Sequence, residues 1–379
     1  MAKGSVRCRV ASLVRRLAPG DSAAEQAEAA RALARLCSDK SANREYVRCC
    51  GGIAALVGLL APCGSAAVHE EAAAALRNLC LDNGRNKDSV RECGGVAALV
   101  GLLVPGGSPA VQERAAAALR ILCIENKQNQ DGVREGGGVA ALVRLLAPGC
   151  ATAVQWYAAG ALTDLCLGHA KNTDSVRECG GVPALVGLLA PGRSAAVQEV
   201  GVAALANLCK QGLENKRSVE ECGGVAALVR LLAPGGPAAV QERAASARGN
   251  LCFENTRSDS VRECRGLAAL IALLAPGCSA GAQHQAAGAL GNLCIENTRN
   301  QASVRECGGV AALIRLLAPG HSAGVQKRAA SALGNLCSDR EHRLRAGVRG
   351  HRGARRAVGA RQACWRPGAG CQGAAQLVR

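Results

Sequence analysis

The chain nearly repeats itself. The proline that closes a Leu-Leu-Ala-Pro phrase falls at Pro19, Pro62, Pro105, Pro148, Pro191, Pro234, Pro276 and Pro319, in steps of 43 residues with one step of 42. A period of this length with purely helical patterning marks stacked helical repeats, and it sorts the fold before any other feature is weighed. Each repeat then needs its neighbours, because a single helical layer cannot bury its own apolar faces.

Composition agrees. Two Trp, two Tyr and one Phe in 379 residues are too few for ordinary compact cores, whereas the abundant Ala, Leu, Val and Gly suit thin helical layers. No apolar run reaches the length of a membrane span. The start, Met1-Ala2-Lys3-Gly4, lacks a signal-peptide core and the Gly after Met that myristoylation needs. A cytoplasmic protein, with the nucleus also open to it, is expected.

The third repeat shows the local logic. Residues 88–94, Asp-Ser-Val-Arg-Glu-Cys-Gly, read as a short first helix, which Gly94-Gly95 breaks because glycine tolerates the backbone of a sharp turn. Residues 96–104 are apolar on nearly all sides and so predict a buried second helix. Pro105-Gly106-Gly107 ends it. Ser108 is expected as the N-cap and Pro109 as the first-turn proline of a third helix from about Ala110 to Ile124. Val111, Ala115, Ala118, Leu119 and Leu122 recur there at helical spacing.

Gly-Gly-Val-Pro-Ala-Leu-Val-Gly-Leu-Leu at 180–189, Ala-Val-Gln-Glu at 196–199 and Ala-Leu-Ala-Asn-Leu at 204–208 resemble the armadillo consensus. The resemblance implies an all-α, right-handed solenoid of about eight three-helix repeats over residues 5–340, with the third helices lining a concave groove. In such proteins a third-helix Asn often binds the backbone of an extended peptide. The matching slot holds Asn78, Asn207, Asn250, Asn292 and Asn335, and Arg35, Ile121 and Asp164 in the other repeats. An amide both donates and accepts, which suits an extended chain. One turn earlier, importin-alpha-like proteins place Trp. Ala74, Ala117, Gly160, Ala203, Ser246, Gly288 and Ser331 stand there instead. Another turn back come Glu70, Glu113, Trp156, Glu199, Glu242, His284 and Lys327, and one turn after the Asn slot come Asp82, Glu125, Glu254, Glu296 and Asp339. Two largely acidic rows flanking the amides hint at a basic partner segment. A solvated face copied by duplication is the plainer reading. Trp156 is either an anchor in the groove or packing for a neighbouring helix.

The pattern stops at Ala346. Written with suitable synonymous codons and read one base later, residues 346–361 become Arg-Glu-Cys-Gly-Gly-Ile-Ala-Ala-Leu-Val-Gly-Leu-Leu-Ala-Pro, the start of a ninth repeat. Residues 364–371 shifted likewise give Ala-Gly-Val-Gln-Glu-Arg-Ala-Ala, matching 323–330 apart from one Glu for Lys. Residues 341–379 are therefore expected to be an unstructured tail. Residues 346–379 carry seven Arg and no acid. Removing these from the 46 Lys and Arg leaves 39 against 29 acids, a net charge of +10 rather than +17. This weakens a nucleic-acid reading based on charge.

Of 21 cysteines, eight share a third-helix slot (Cys37, Cys80, Cys123, Cys166, Cys209, Cys252, Cys294, Cys337) and six precede the glycine pair (Cys50, Cys93, Cys179, Cys222, Cys264, Cys307). Both slots are expected to hold small buried residues, with no zinc or other metal. Repeat six departs from the pattern. Arg248 replaces a Leu and is expected to carry its head to the surface or to an acid. The loop that follows is one residue short, and Arg265 replaces the first glycine of its pair. This junction is expected to open first. The six His share no spacing with acids or Cys, and no P-loop or His-Glu-x-x-His phrase occurs, so neither catalysis, a cofactor nor a small-molecule substrate is expected. The expected function is a scaffold or adaptor that holds an extended protein segment. The alternatives are an importin-alpha-like transport receptor, and a basic surface for nucleic acid or membrane headgroups.

Overall fold

A computed structural model describes residues 2–38, 41–252, 264–295 and 297–348, with 22 helices and no strand among them. The helices form two compact bodies, residues 1–231 and 232–379. The first holds repeats one to five and the first two helices of repeat six. The second begins with the third helix of repeat six, Ala238–Cys252, and continues through repeats seven and eight.

Repeat three consists of Gly84–Glu92, Gly95–Gly101 and Pro109–Cys123. Its first helix starts earlier than expected because the Asn83 side chain caps it, accepting from the Asn86 N–H. Its second helix is shorter than expected. Leu102 and Leu103 turn back to the carbonyls of Leu99 and Val100, tightening the last turn and ending the helix. Ser108 makes no side-chain cap, leaving Pro109 to start the third helix. Ser65, Ser194 and Ser279 do cap theirs.

The glycine pair has two separate jobs. Gly94 has φ 76°, a left-handed turn that a side chain would strain. Gly95 is needed for space. A Cβ there would lie 2.5 Å from Val90 Cγ1 and 2.9 Å from Val57 Cγ2 of the preceding repeat. In repeat seven Arg265 holds the first-glycine position and lies inside the helix Cys264–Ala272.

Within each body the most extensive helix–helix contacts join successive third helices. Leu76, Leu119, Leu162 and Leu205 are buried between them in the first body, and Leu290 in the second. Arg248, in the same slot, is 0% exposed. It does not carry its head to the surface, because the helix geometry fixes that slot inward whatever residue occupies it. The last third helix runs Ala323–Val348, into the stretch expected to be an unstructured tail. Residues 341–346 are helix formers without Gly or Pro, which explains the extension. The rest of the tail, 349–379, lies outside the described residues.

Candidate functional site

The third helices place the amide slot at regular intervals. Asn78 Nδ2 donates to Ala34 O at 2.9 Å and Asn207 Nδ2 to Thr163 O at 3.0 Å. In the second body Asn292 Nδ2 donates to Gly249 O at 3.2 Å and Asn335 Nδ2 to Gly291 O at 3.0 Å. Each acceptor is a carbonyl of the preceding third helix. One amide hydrogen thus orients each side chain. Arg77 shares Asn78 Oδ1 at 3.3 Å, and Lys210 shares that of Asn207 at 3.4 Å. Asn78, Asn250, Asn292 and Asn335 are half-buried, and Asn207 is buried.

In repeat four the slot is Asp164, and the hydrogen bond becomes an ion pair. Arg120 Nε, from the preceding third helix, lies 3.1 Å from Asp164 Oδ2. Burial raises the Asp164 pKa, and Arg120 opposes that rise. The Arg120 guanidinium also sits over Trp156, 4.9 Å from the ring centroid, and Tyr157 meets Trp156 edge-on at 4.7 Å.

Glu70, Glu113, Glu199 and Glu242 are all half-buried along their row. Arg114 Nε reaches Glu70 at 3.7 Å, partly neutralising it. Arg328 Nε donates to His284 Nε2 at 3.3 Å. The second acidic row is not on the helices in repeats two and three. The helices end at Cys80 and Cys123, and Asp82 and Glu125 follow in left-handed turns with φ 47° and 53°. Apolar Leu81 and Ile124 break the helical path just before them. Glu254 and Glu296 lie outside the described residues.

A second asparagine row went unread in the sequence. Asn86, Asn129, Asn172 and Asn300 of the first helices are buried, and their Nδ2 atoms donate to Leu79, Leu122, Leu165 and Leu293 carbonyls at 2.8–3.1 Å. The next residue reaches farther. Gln130 Nε2 serves Cys123 O and Asp164 O, and Lys87 Nζ serves Ile124 O. These side chains satisfy carbonyls that third-helix ends leave open. The signal was an Asn seven residues after a Leu, at Asn43, Asn86, Asn129, Asn172, Asn215 and Asn300.

Cys37, Cys80, Cys123, Cys166, Cys209 and Cys294 are buried, as expected. Burial pushes the thiols of Cys37, Cys80, Cys166 and Cys294 up to about 12. The other slot is not buried. Cys50, Cys93, Cys179 and Cys307 are exposed and Cys222 is half-exposed, because this slot is the C-cap before the glycine turn. Cys337 is exposed too. Among the described residues no cluster could hold a metal ion, and no helix is long and apolar enough to cross a membrane.

Two Gly-x-Ser-x-Gly phrases occur, at 277–281 and 320–324, which corrects the expectation that the chain has none. They resemble the nucleophile elbow of serine hydrolases. Here they are helix starts. Ser279 Oγ accepts from Ala282 N at 3.1 Å and Ser322 Oγ from Val325 N at 3.4 Å. The elbow needs a strand before the Ser, and each of these follows a helix and a turn.

Stacked three-helix repeats with an amide-bearing third helix define a repeat scaffold, a fold typical of protein binding. Armadillo/beta-catenin-like repeats match at residues 40–81, 83–124, 169–210 and 297–338. The crystal structure of an engineered protein is 31% identical, covering 87% of this chain and 79% of that one, with a TM-score of 0.79. A designed armadillo repeat protein is 28% identical over 64% of this chain and 99% of its own, with a TM-score of 0.59. Another, solved in complex with the peptide (KR)4, is 25% identical over 64% and 99%, with a TM-score of 0.58. No curated protein sequence matches. The chain belongs to the armadillo-repeat family.

Proposed function

We propose that this protein is a scaffold whose third-helix face holds an extended partner segment rich in Lys or Arg. The observation that carries this reading is the amide slot, held in the first body by Asn78 and in the second by Asn292 and Asn335, each oriented by the preceding third helix and half-buried, with Asn207 buried in the same slot. Asn250 occupies the same slot. An extended peptide offers one N–H and one C=O per residue, which such amides can meet in pairs. Glu70, Glu113, Glu199 and Glu242 run beside them and favour a basic segment, and Trp156 provides one aromatic surface. A designed armadillo relative holds (KR)4, which supports the chemistry. The free buried thiols suit a reducing compartment, the cytoplasm or the nucleus.

Titration calorimetry with (KR)4 and with a Gly-Ser octapeptide tests this reading. Binding of the basic peptide alone, weakened about tenfold or more by Asn292→Ala with Asn335→Ala, is expected from the loss of two or more hydrogen bonds of about 1 kcal/mol each. Unchanged affinity in the double variant would remove the amides from the site.

A further inference from the structure

We propose that Trp156 and Asp164 form a guanidinium-binding site that the chain fills with its own Arg120. Resting on the groove reading above, the natural competitor would be an arginine of the partner segment. Three features around Arg120 are built for a guanidinium. The Asp164 carboxylate takes its Nε at 3.1 Å. The Trp156 ring lies 4.9 Å beneath its Cζ. Gly160 makes the room, since a Cβ there would sit 3.0 Å from Arg120 Cδ, 3.1 Å from Nε and 3.3 Å from Cζ. Aromatic face, carboxylate and cleared floor are what a planar cation needs, and what a compact ammonium uses less well.

The site is also poised for exchange. The Arg120 side chain is 31% exposed and Asp164 19%, so an incoming guanidinium can replace Arg120 as it swings to solvent. The carboxylate is then never left unpaired, which would be the costly alternative. Repeat four is where the Asn slot carries Asp164 and the acidic row carries Trp156. The two departures from the repeat pattern therefore coincide in one site.

Arg120→Ala empties the site, and the probe is methylguanidinium, with methylammonium as control. In a Trp365→Phe background Trp156 is the sole tryptophan, so its emission reports occupancy. A saturable change with methylguanidinium in Arg120→Ala is expected. It should be weaker with methylammonium, weaker in wild type, and lost in Arg120→Ala with Asp164→Asn. An identical response in the single and double variants, or none in the single variant, overturns the proposal. Should Arg120→Ala not fold, Arg120→Lys keeps a cation on Asp164, and methylguanidinium must displace it with the same but smaller spectral change. No change there also overturns it. Neither arm uses a partner peptide. Failure of (KR)4 binding with methylguanidinium still saturating would reject the groove reading alone.

A separate observation concerns the last repeat. Val57, Val100 and Val143 each face a glycine of the next repeat, with Cγ2 2.9–3.2 Å from where a Cβ of Gly95, Gly138 or Gly181 would lie. Ile271 does the same toward Gly309 at 3.2 Å. Ile314 stands in this slot in repeat eight and is 39% exposed. We infer that this surface receives a ninth repeat, whose glycine pair is spelled by the shifted reading of residues 346–361. Replacing residues 346–379 by that reading, completed to a full repeat, should slow maleimide labelling of Ile314→Cys, read by peptide mass spectrometry. Equal labelling in both chains overturns the inference. If the extended chain does not fold, Ile314→Ser in the present chain should lower the Tm less than Ile271→Ser, and an equal loss overturns it.

Discussion

The protein carries two asparagine rows that differ in what surrounds them. The first-helix row (Asn86, Asn129, Asn172, Asn300) is buried and bonded to the ends of third helices. The third-helix row (Asn78, Asn292, Asn335) bonds to the preceding third helix but stays half-exposed. Both spend an amide hydrogen on a main-chain carbonyl. Only the second row keeps polar atoms that a ligand can reach. The same side chain at the same period is therefore architecture in one row and a candidate contact in the other, and burial decides which.

Substitution should separate the rows most clearly. Asn129 is 0% exposed and serves Leu122 O, with Lys87 O at 3.4 Å. Asn129→Ala leaves these buried carbonyls open and creates a void, a loss of about 2–3 kcal/mol. Asn78→Ala exposes its carbonyl to water and should lose about 1 kcal/mol or less. Urea unfolding of both variants makes the comparison, and equal losses would break the distinction between the rows.

Polar residues outside the rows sharpen it. Arg248 is fully buried in a third-helix slot that is Leu in other repeats. Removing one member of a buried polar contact strands the groups it meets, so Arg248→Ala, which also opens a void, is expected to cost about 3–5 kcal/mol. Glu125 lies in the link between the groove-side helix Pro109–Cys123 and the helix that carries Asn129, at φ 53°. Repeat four uses Gly168, φ 70°, in that link. Left-handed backbone strains an L-residue, and glycine returns part of the gain through its freer unfolded chain, so Glu125→Gly should stabilise by about 0.5–1 kcal/mol. A thermal melt measures each, and a loss in Glu125→Gly would mean that its side chain does something for the link beyond filling it.

The period, the glycine turns and the apolar interior were legible because each rests on short-range chemistry that recurs at fixed spacing. The third-helix Asn slot was legible for the same reason. Trp156 could be singled out, yet not the Arg120 above it, because their proximity depends on the offset between adjacent helices. The first-helix asparagines carry no mark of burial in the sequence, and only the stacking of repeats buries them. The cysteines before the glycine pair were misread because a small residue at a regular slot implies crowding only when a neighbour faces it. Asp82 and Glu125 were misplaced because helical spacing was counted past the point where Leu81 and Ile124 end the helix.

Asp164 tests where the third-helix row is interrupted. Burial raises its folded pKa above the ordinary Asp value, despite Arg120. A raised acid pKa means that the folded state binds the proton more tightly than the unfolded chain. Stability from this group is therefore largest at low pH and declines as pH rises from the ordinary Asp value through the raised one. Above that window the charge costs more than its pairing with Arg120 returns. Asp164→Asn should then leave the protein at neutral pH slightly more stable, by a few tenths of a kcal/mol, the size of a half-screened surface pair. The advantage should shrink as pH falls toward the Asp range. Urea midpoints of the two proteins at pH 7 and pH 4 read this directly. A variant less stable at pH 7, with the deficit shrinking on acidification, would show that the Arg120–Asp164 pair outweighs its burial, and that repeat four gains stability from interrupting the amide row.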